Sequence, residues 1–597
     1  MSVAKSPLPS EGAPPEREVG LPRLIVLAFV VGCVAAAGAI VFKFLIALIH
    51  NLANYGVLSF ELDPNVYGPE SPWGPFVILV PVLGGLVVLF LVRSFAPEAK
   101  GHGVPEVMYA IYHNNGDVRG IVAVVKSLAS ALSIGTGASV GREGPIIQIG
   151  SSFGSTFGRM LGLVRAQKIT LLAAGAGAGI AATFNTPLGG VLFAVEVLLP
   201  EVSTRTFLPV VAATATSTYI ARLALGIESA FVVPVAALPQ IETVNIPELI
   251  VAAAVGLAMG IAAFAFVRVL EYCEDTFEKM PLDPYVQNAI GMSLVGLMGY
   301  GFLQWTGHYE VMSVGYATIQ SVLNGDKTVF VVLVALFVAK MLATSISLGA
   351  GASGGIFSPS LFMGATLGGA VGVLGTMIFP GAGLDVPTFA VIGMGAMVGG
   401  ATSAAMTAIV MIFEMTRDYA IIVPLVLAVA LAVGVRRSLV ASDIYTIKLR
   451  NRGKPIPTDR STNMFLVQPA REVMSTSFSV FPAETPVGDM LAALPAEGRR
   501  HVIVSDGGRI AGFVRLARVP YRPDRFAGQT LADILSRDFV LAGDTSVLNT
   551  VMTRMSRRQR TFAMIIEEGP GVPRPEDVVG VIDEPEIAEA LVRNHYG

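Results

Sequence analysis

The sequence predicts an α-helical protein that crosses a membrane many times and ends in a soluble α/β region. Three observations carry this prediction. The 597 residues are 53% hydrophobic and 14% charged, whereas soluble domains carry about 25% charged residues. Apolar stretches close to the roughly 20 residues of a bilayer-spanning helix recur along most of the chain. A glycine-rich peptide occurs twice, which indicates two related halves.

The first 23 residues are rich in proline and charge and are predicted to form a disordered cytoplasmic tail. Basic residues flank the first and last spans, whereas the loop 51–74 contains none, so both termini are predicted to be cytoplasmic, in a bacterial inner or plasma membrane. Cys33 and Cys273 lie in or beside predicted spans, and no disulfide is expected. The apolar stretches are 24–47, 76–94, 121–140, 146–164, 169–199, 207–225, 247–270, 286–304, 328–349, 359–379, 387–415 and 419–435.

Residues 124–145 and 338–359 are two versions of one peptide. At a constant offset (338 − 124 = 214), eleven of the 22 positions are identical. Paired apolar segments that glycine and proline interrupt at matching places are typical of an ion site at the midplane of a transporter. The copies differ where Arg142-Glu143-Gly144 faces Ile356-Phe357-Ser358. We therefore expect the chemistry to lie at this difference.

A third break, Gly101-His102-Gly103-Val104-Pro105, has the same form as the two in the repeat. Moving an unpaired anion into hydrocarbon costs on the order of 20 kcal/mol in the idealised limit. Helix N-termini offset this cost with free N–H groups and a positive dipole end. Glycine permits close backbone approach, and proline suits the first helical turn. The alternative is that such breaks only kink their helices, but the presence of three favours an anion site.

In order and spacing, GHGVP, GREGP and GGIFSP, with Tyr445 near the end of the membrane region, resemble the CLC family of chloride channels and proton/chloride exchangers. The resemblance covers residues 24–452. It implies the CLC fold, with two inverted halves and broken helices, and a homodimer with one anion pathway per subunit. A linker is expected at 453–468. The tail at 469–597 resembles the paired CBS domains of many CLC proteins.

The resemblance also implies roles for the motif residues. The backbone N–H groups of Ile356 and Phe357, with the Tyr445 hydroxyl, would hold a central anion, and the backbone around Arg142–Gly144 would form an outer site. Glu143 would be the gate, because its carboxylate competes with the anion until a proton neutralises it. The alternative makes Glu143 a static partner of a nearby cation. The expected anion-binding set is His102, Gly103, Arg142, Glu143, Gly144, Gly355, Ile356, Phe357 and Tyr445.

Two positions depart from the family pattern. His102 stands where the family commonly has a serine; its N–H is expected either to donate to the anion, with pH sensitivity, or only to line the inner mouth. Val197 stands where proton-coupled members usually carry a proton-accepting glutamate, so this proton site is predicted to be lost. Glu196 and Glu414 occupy equivalent places in the two halves, and both are predicted to be structural carboxylates that cap neighbouring helices.

The soluble tail contains two similar β-α-β units. Helical runs are predicted at 487–494 and 547–555 with a final helix at 585–593, and strands at 501–504, 510–514, 562–566 and 578–582. Paired CBS domains in other proteins often bind adenine nucleotides. Here Asp583 and Glu586 would repel phosphates, although Glu586 is able to contact a ribose. The alternative is a module that stabilises a dimer without a ligand.

Chloride or another small anion is the expected substrate, and a gated chloride channel is the favoured function because Val197 cannot accept a proton. The alternative is a proton-coupled anion antiporter. A third, less favoured function is a membrane sensor without transport activity. No enzymatic activity is expected, because the chain has no HExxH motif, nucleophile elbow or catalytic carboxylate pair. The expected partners are the lipid bilayer and a second copy of the chain. No metal, required cofactor or nucleic acid is expected.

Overall fold

The structure is a computed structural model. It describes residues 17–226, 231, 245–417, 419–456, 464–494, 501–516, 526, 528–567 and 572–596. The chain divides into two compact units. The larger unit, called the membrane unit, extends to Pro455 but excludes residues 110–115. The smaller, called the C-terminal unit, begins at Ile456 and also includes residues 110–115.

Helices make up most of the chain up to residue 451. Eight helical segments among the described residues are long and apolar enough to cross a membrane, so the chain is a multi-pass membrane protein. The helices are α1 (Leu21–Tyr55), α2 (Val80–Phe95), α3 (Val104–His113), α4 (Ile121–Gly135), α5 (Glu143–Met160), α6 (Arg165–Phe184), α7 (Pro187–Phe193), α8 (Thr204–Leu225), α9 (Ile246–Lys279), α10 (Pro284–Thr306), α11 (Tyr316–Leu323), α12 (Phe330–Gly349), α13 (Phe357–Ile378), α14 (Val386–Thr402), α15 (Ala405–Thr416), α16 (Ile422–Leu439) and α17 (Thr446–Asn451).

Two of the predicted apolar stretches are each broken into two helices. The stretch 169–199 contains α6 and α7, which Asn185 separates in the left-handed conformation (φ 62°). The stretch 387–415 contains α14 and α15, separated by Ser403 (φ 61°). Asparagine is among the few non-glycine residues that adopt this conformation readily. Hydropathy missed both breaks, because one or two polar residues do not interrupt a stretch that is otherwise apolar.

The N-terminal tail also differs from the prediction in its described part. Residues 1–16 lie outside the described residues. Arg17 exchanges backbone hydrogen bonds with Gly162 and Val164, and Val19 bonds to the side chain of Gln167. The first helix begins at Leu21, three residues before the predicted span. The end of the predicted tail is therefore anchored to the membrane unit.

Reciprocal hydrogen bonds relate the two copies of the repeat. The Ser139 amide donates to Ser347 Oγ (3.1 Å), and the Ser353 amide, one repeat later, donates to Ser133 Oγ (3.0 Å). The buried ammonium of Lys126 donates to Ala99 O and Gly101 O; that of Lys340 donates to Val311 O and Ser313 O. A local two-fold axis between the copies generates such matched pairs. It also brings the starts of α5 and α13 to the same place.

The C-terminal unit contains two three-stranded sheets with the same topology. In each sheet the central strand pairs parallel with the strand before it and antiparallel with the strand after it. The strands are β1 (Phe478–Pro482), β2 (His501–Asp506), β3 (Arg509–Arg515), β4 (Phe539–Gly543), β5 (Phe562–Ile566) and β6 (Val578–Ile582). The helices are α18 (Ala470–Val473), α19 (Val487–Ala493), α20 (Leu531–Ile534), α21 (Leu548–Arg557) and α22 (Glu584–Tyr596).

The predicted strands and helical runs of the tail are confirmed, whereas β1 and β4 were missed. Both missed strands are five residues long and complete the repeated β-α-β unit. The two sheets pack on each other through a cluster that includes Phe513 and Phe562, whose rings stack 3.8 Å apart.

A buried carboxylate joins the two halves of the C-terminal unit. Asp583, just after β6, accepts two hydrogen bonds from the Arg515 guanidinium at 2.6 and 2.8 Å and lies 3.2 Å from His501 Nε2. Burial alone would raise the pKa of Asp583, but the hydrogen bonds from His501 and Arg515 outweigh burial and hold its pKa well below the ordinary value. The carboxylate is therefore charged in the folded unit.

We expect Asp583→Asn to lower the free energy of unfolding of the C-terminal unit by about 3 kcal/mol at neutral pH, because Arg515 loses its partner in a largely buried place. Because the pKa of Asp583 is lowered by folding, its stabilisation is complete above the ordinary aspartate pKa of about 4 and is lost as pH falls further. Hydrogen-exchange protection of β6 in the full chain measures this. Asp538→Asn, which removes an exposed partner of Arg560, should change stability by less than about 1 kcal/mol. Equal effects of the two variants would contradict the assignment.

Candidate anion site

The three glycine-rich breaks predicted from the sequence meet at one place. Gly141 and Gly355 form an antiparallel pair, in which each amide donates to the other's carbonyl at 2.7 and 2.6 Å. The third break joins through Gly101, whose carbonyl accepts from the Gly354 amide at 3.3 Å. Residues from three distant parts of the sequence thus form one small backbone cluster.

Close backbone packing explains the glycines in this cluster. A Cβ atom on Gly144 would lie 2.1 Å from His102 O and 2.9 Å from Gly355 Cα. A Cβ on Gly355 would lie 2.6 Å from the Gly144 amide nitrogen. Real Cβ atoms do not approach backbone atoms so closely, so any side chain here would force the segments apart.

Helices begin at each of these breaks. The helices α3, α5 and α13 start at Val104, Glu143 and Phe357. The first amides of a helix have no partner within it, and the helix dipole places partial positive charge there. Two helices that start at one two-fold axis therefore create a buried region that favours an anion.

The carboxylate of Glu143 occupies the start of α13. Glu143 is 1% exposed. Its Oε2 accepts from the Ser358 amide at 3.2 Å, and its Oε1 accepts from the Tyr316 hydroxyl at 2.6 Å. The Ser358 hydroxyl also donates to Oε1. A carboxylate oxygen thus stands where a helix N-terminus and two hydroxyls converge.

Charged groups surround this carboxylate on several elements. Arg142, beside Glu143, lies with its guanidinium 5.1 Å from the ring centroid of Tyr316. Lys340 on α12 interacts electrostatically with Glu143. Arg142 and Tyr316 also line a cavity of about 400 Å³ that reaches the loop after α1. Two neighbours of the carboxylate, Arg142 and Tyr316, therefore border this cavity.

His102 and Tyr445 lie together within the membrane unit. Their ring centroids are 6.0 Å apart, and each residue is 1% exposed. His102 Nδ1 is buried without a hydrogen-bond partner. Buried polar atoms almost always have partners, so this nitrogen indicates a place for a ligand. Ile356, at the N-cap of α13, and Phe357 are buried as well.

Val197 and its neighbour Glu196 lie in a π-helical turn (Ala194–Leu198) that follows α7. Val197 is 2% exposed. The Glu196 carboxylate accepts from the amides of Met406 and Thr407 at the start of α15. The Glu414 carboxylate accepts from the amides of Leu188 and Gly189 at the start of α7. Each glutamate therefore caps the N-terminus of a helix in the opposite half of the membrane unit.

Sequence reasoning missed Tyr316 and Ser358. Tyr316 follows Gly315, which has φ 81°, as Val104 follows Gly103, which has φ 83°. A fourth break, Ser313–Ala317, thus matches GHGVP in the other half. It lacks the first Gly and the Pro, so it carried no motif signal. Ser358 was visible as the residue that faces Gly144 in the repeat, but its hydroxyl was not considered.

Among the described residues, no group of three or more His, Cys, Asp or Glu side chains is arranged to hold a metal ion. The candidate site is built from amides, hydroxyls, one imidazole and one carboxylate. Such groups suit a small monovalent anion. They also suit a proton that neutralises the carboxylate.

Comparisons with known proteins agree with this geometry. The family model for voltage gated chloride channels matches residues 84–437. A ClcB-like chloride channel protein of Ralstonia nicotianae is 29% identical over 72% of this chain and 97% of its own length. The H⁺/Cl⁻ exchange transporter ClcA of Citrobacter koseri is 30% identical over 68% of this chain and 83% of its own. The crystal structure of a slow cyanobacterial Cl⁻/H⁺ antiporter matches with a TM-score of 0.62 and 27% identity, over 72% of this chain and 98% of that one.

We expect Gly144→Ala to destabilise the membrane unit by about 3 kcal/mol, because the new methyl overpacks a backbone contact. Gly301→Ala in α10 is the matched control: its Cβ would meet nothing within 4 Å, and the exchange should stabilise the helix by up to about 1 kcal/mol. The midpoint of thermal unfolding in detergent compares the two variants. A Gly144→Ala protein as stable as the parent would contradict the close approach.

Proposed function

Because the chain belongs to the voltage gated chloride channel family, we propose that it exchanges chloride, or another small anion, for protons across a membrane. Glu143 is the gate and the outer proton acceptor in this proposal. The observation that carries it is the hydrogen bond from the Ser358 amide, in the first turn of α13, to the Glu143 carboxylate. An anion binds at such a position by the same interactions, so carboxylate and anion exclude each other. Protonation removes the attraction that keeps the carboxylate there.

The proposed pathway has an inner part and an outer part. The inner site consists of the amides at Ile356 and Phe357, the hydroxyl of Tyr445 and the ring of His102, with Gly103 and Gly355 allowing the backbone to come close. The outer site lies at the backbone of Arg142–Gly144, and the Glu143 carboxylate competes with the anion for it. The proximity of His102 and Tyr445 and the partnerless Nδ1 of His102 support the inner site.

Exchange is favoured over the gated channel that the sequence suggested. The ClcA relative and the cyanobacterial structure, each matching more than two thirds of the chain, are described as a proton/chloride exchanger and antiporter. A channel remains the second candidate because of one observation: Val197 is buried in the π-helical turn and has no proton to accept or give. If exchange occurs, the inner proton route uses another group.

We propose that the C-terminal unit is a CBS pair that serves the dimer without a bound nucleotide. The twofold repetition of its β-α-β sheets supports the CBS identity. Asp583 is already held by Arg515 and His501. Glu586 accepts from the Asp583 amide at 3.0 Å. These internal bonds engage Asp583 and one oxygen of Glu586, the residue expected to contact a ribose, which supports a unit that works without a nucleotide. The proposal places both termini in the cytoplasm of a bacterial cell.

Proteoliposomes with an outward chloride gradient should take up protons against their own gradient. Glu143→Gln should keep chloride flux, lose proton uptake and lose most of the dependence of flux on pH, because its amide cannot titrate. A chloride electrode and a pH electrode record both movements. The matched control is Glu271→Gln, which alters an ion pair on α9 and should preserve coupling. Chloride flux in the parent without proton movement would identify a channel, and coupling that survives in Glu143→Gln would reject the gate.

Replacing His102 with Phe should weaken chloride binding about tenfold, the factor expected when one hydrogen bond to a charged group is lost. His102→Ser keeps a donor and should bind chloride within about threefold of the parent. Isothermal titration of chloride into the full chain in detergent measures both. If His102→Phe binds chloride as tightly as the parent does, His102 only lines the pathway.

A further inference from the structure

We propose that the hydroxyls of Tyr316 and Ser358 are anion ligands that select small halides at the outer position and hold the Glu143 carboxylate there when no halide is bound. The inference rests on the proposed function, and it assigns two side chains to which the glycine motifs gave no role. Tyr316 and Ser358 are positioning residues for the gate and direct ligands for the anion.

Three donors converge on one carboxylate. The Tyr316 hydroxyl lies 2.6 Å from Glu143 Oε1, and the Ser358 amide lies 3.2 Å from Oε2. The Ser358 hydroxyl donates to Oε1, and the two hydroxyl oxygens are 3.0 Å apart. Tyr316, Ser358 and Glu143 are each at most 1% exposed. When Glu143 leaves, these donors lose their charged acceptor, and a halide is able to take its place.

The Tyr316 hydroxyl is held in place by its surroundings. Arg142 lies over one part of the ring, 5.1 Å from its centroid. Phe231 meets the ring edge to face at 5.1 Å. The backbone before Tyr316 is fixed by Gly315 and by Lys340, which donates to Ser313 O. A hydroxyl oriented in advance binds an anion at little cost in conformational entropy.

Only one half of the repeat carries these hydroxyls. Ser358 matches Gly144 at the offset of the repeat. Tyr316 matches Val104 by geometry, because each begins a helix directly after a glycine with positive φ. Neither counterpart has a polar side chain. The backbone scaffold alone, which both halves share, therefore does not require a hydroxyl at either position. Their occurrence together, on the side where the carboxylate lies, points to a role in binding rather than in packing.

The groups that face Glu143 determine how the site responds to protons. They are Arg142 beside it, Tyr316 on α11, Ser358 on α13, Lys340 on α12 and Tyr445 before α17. The cations and the three donors all favour the charged carboxylate. Removing one hydroxyl therefore favours protonation, and the gate should open at higher pH.

The first test uses flux. In proteoliposomes, Tyr316→Phe and Ser358→Ala should each raise the pH at which chloride flux is half-maximal by about one unit, which corresponds to the tenfold effect of one hydrogen bond. Tyr309→Phe and Ser360→Ala are matched controls. Tyr309 lines the nearby cavity, and the Ser360 hydroxyl is bonded within α13 to Ile356 O. The controls should keep the parent's pH profile.

The second test uses binding and does not depend on transport. With Glu143→Gln as background, adding Tyr316→Phe or Ser358→Ala should weaken chloride binding at the outer position about tenfold, and thiocyanate binding by less, because a large weakly hydrated anion gains less from hydroxyls. Calorimetric titration of both anions gives the ratio. Unchanged chloride binding and an unchanged pH profile in both variants would overturn the inference. A parent that binds chloride with this selectivity but moves no anion would instead reject the proposed function.

Discussion

The antiparallel contact between Gly141 and Gly355 is the constraint on which the rest of the membrane unit depends. Two hydrogen bonds across this pair fix the starts of α5 and α13 against each other. The serine and lysine bonds around it repeat with the same two-fold relation. Helix N-termini that would repel each other in the absence of an anion are thereby held together. The scaffold thus creates a region of positive potential that stabilises a negative charge.

The two halves supply different side chains to this common scaffold. One half supplies Glu143 and His102; the other supplies Ser358 and Tyr316. In the proposed mechanism the first half provides a mobile charge and the second provides fixed donors. The Glu143 carboxylate belongs to α5 but binds at the start of α13, so a side-chain movement is able to release it and bring it back. An anion held by a fixed full positive charge would bind too tightly to move on.

The sequence predicted the part of this arrangement that glycine and proline encode. The internal repeat and its two breaks located Glu143, Ile356 and Phe357, because close backbone contacts allow only glycine. The sequence did not predict Tyr316 as a site residue, because its break retains one glycine of the motif and no proline. The helix breaks at Asn185 and Ser403 were not predicted either, because each depends on the conformation of a single residue. In the C-terminal unit, hydrophobic runs located the last two strands of each sheet, whereas the first strands, β1 and β4, emerged only from their pairing.

The central claim is that the Glu143 carboxylate stands in the place of an anion. Anomalous X-ray diffraction from crystals grown in bromide tests it directly, because bromide replaces chloride and is located without a model of the side chains. In the Glu143→Gln protein we expect a bromide peak beside the Ser358 amide and the hydroxyls of Tyr316 and Ser358, and in the parent at neutral pH no peak there. Bromide at this place in the parent, with Glu143 still bonded to Ser358, would contradict the account, as would its absence from both proteins.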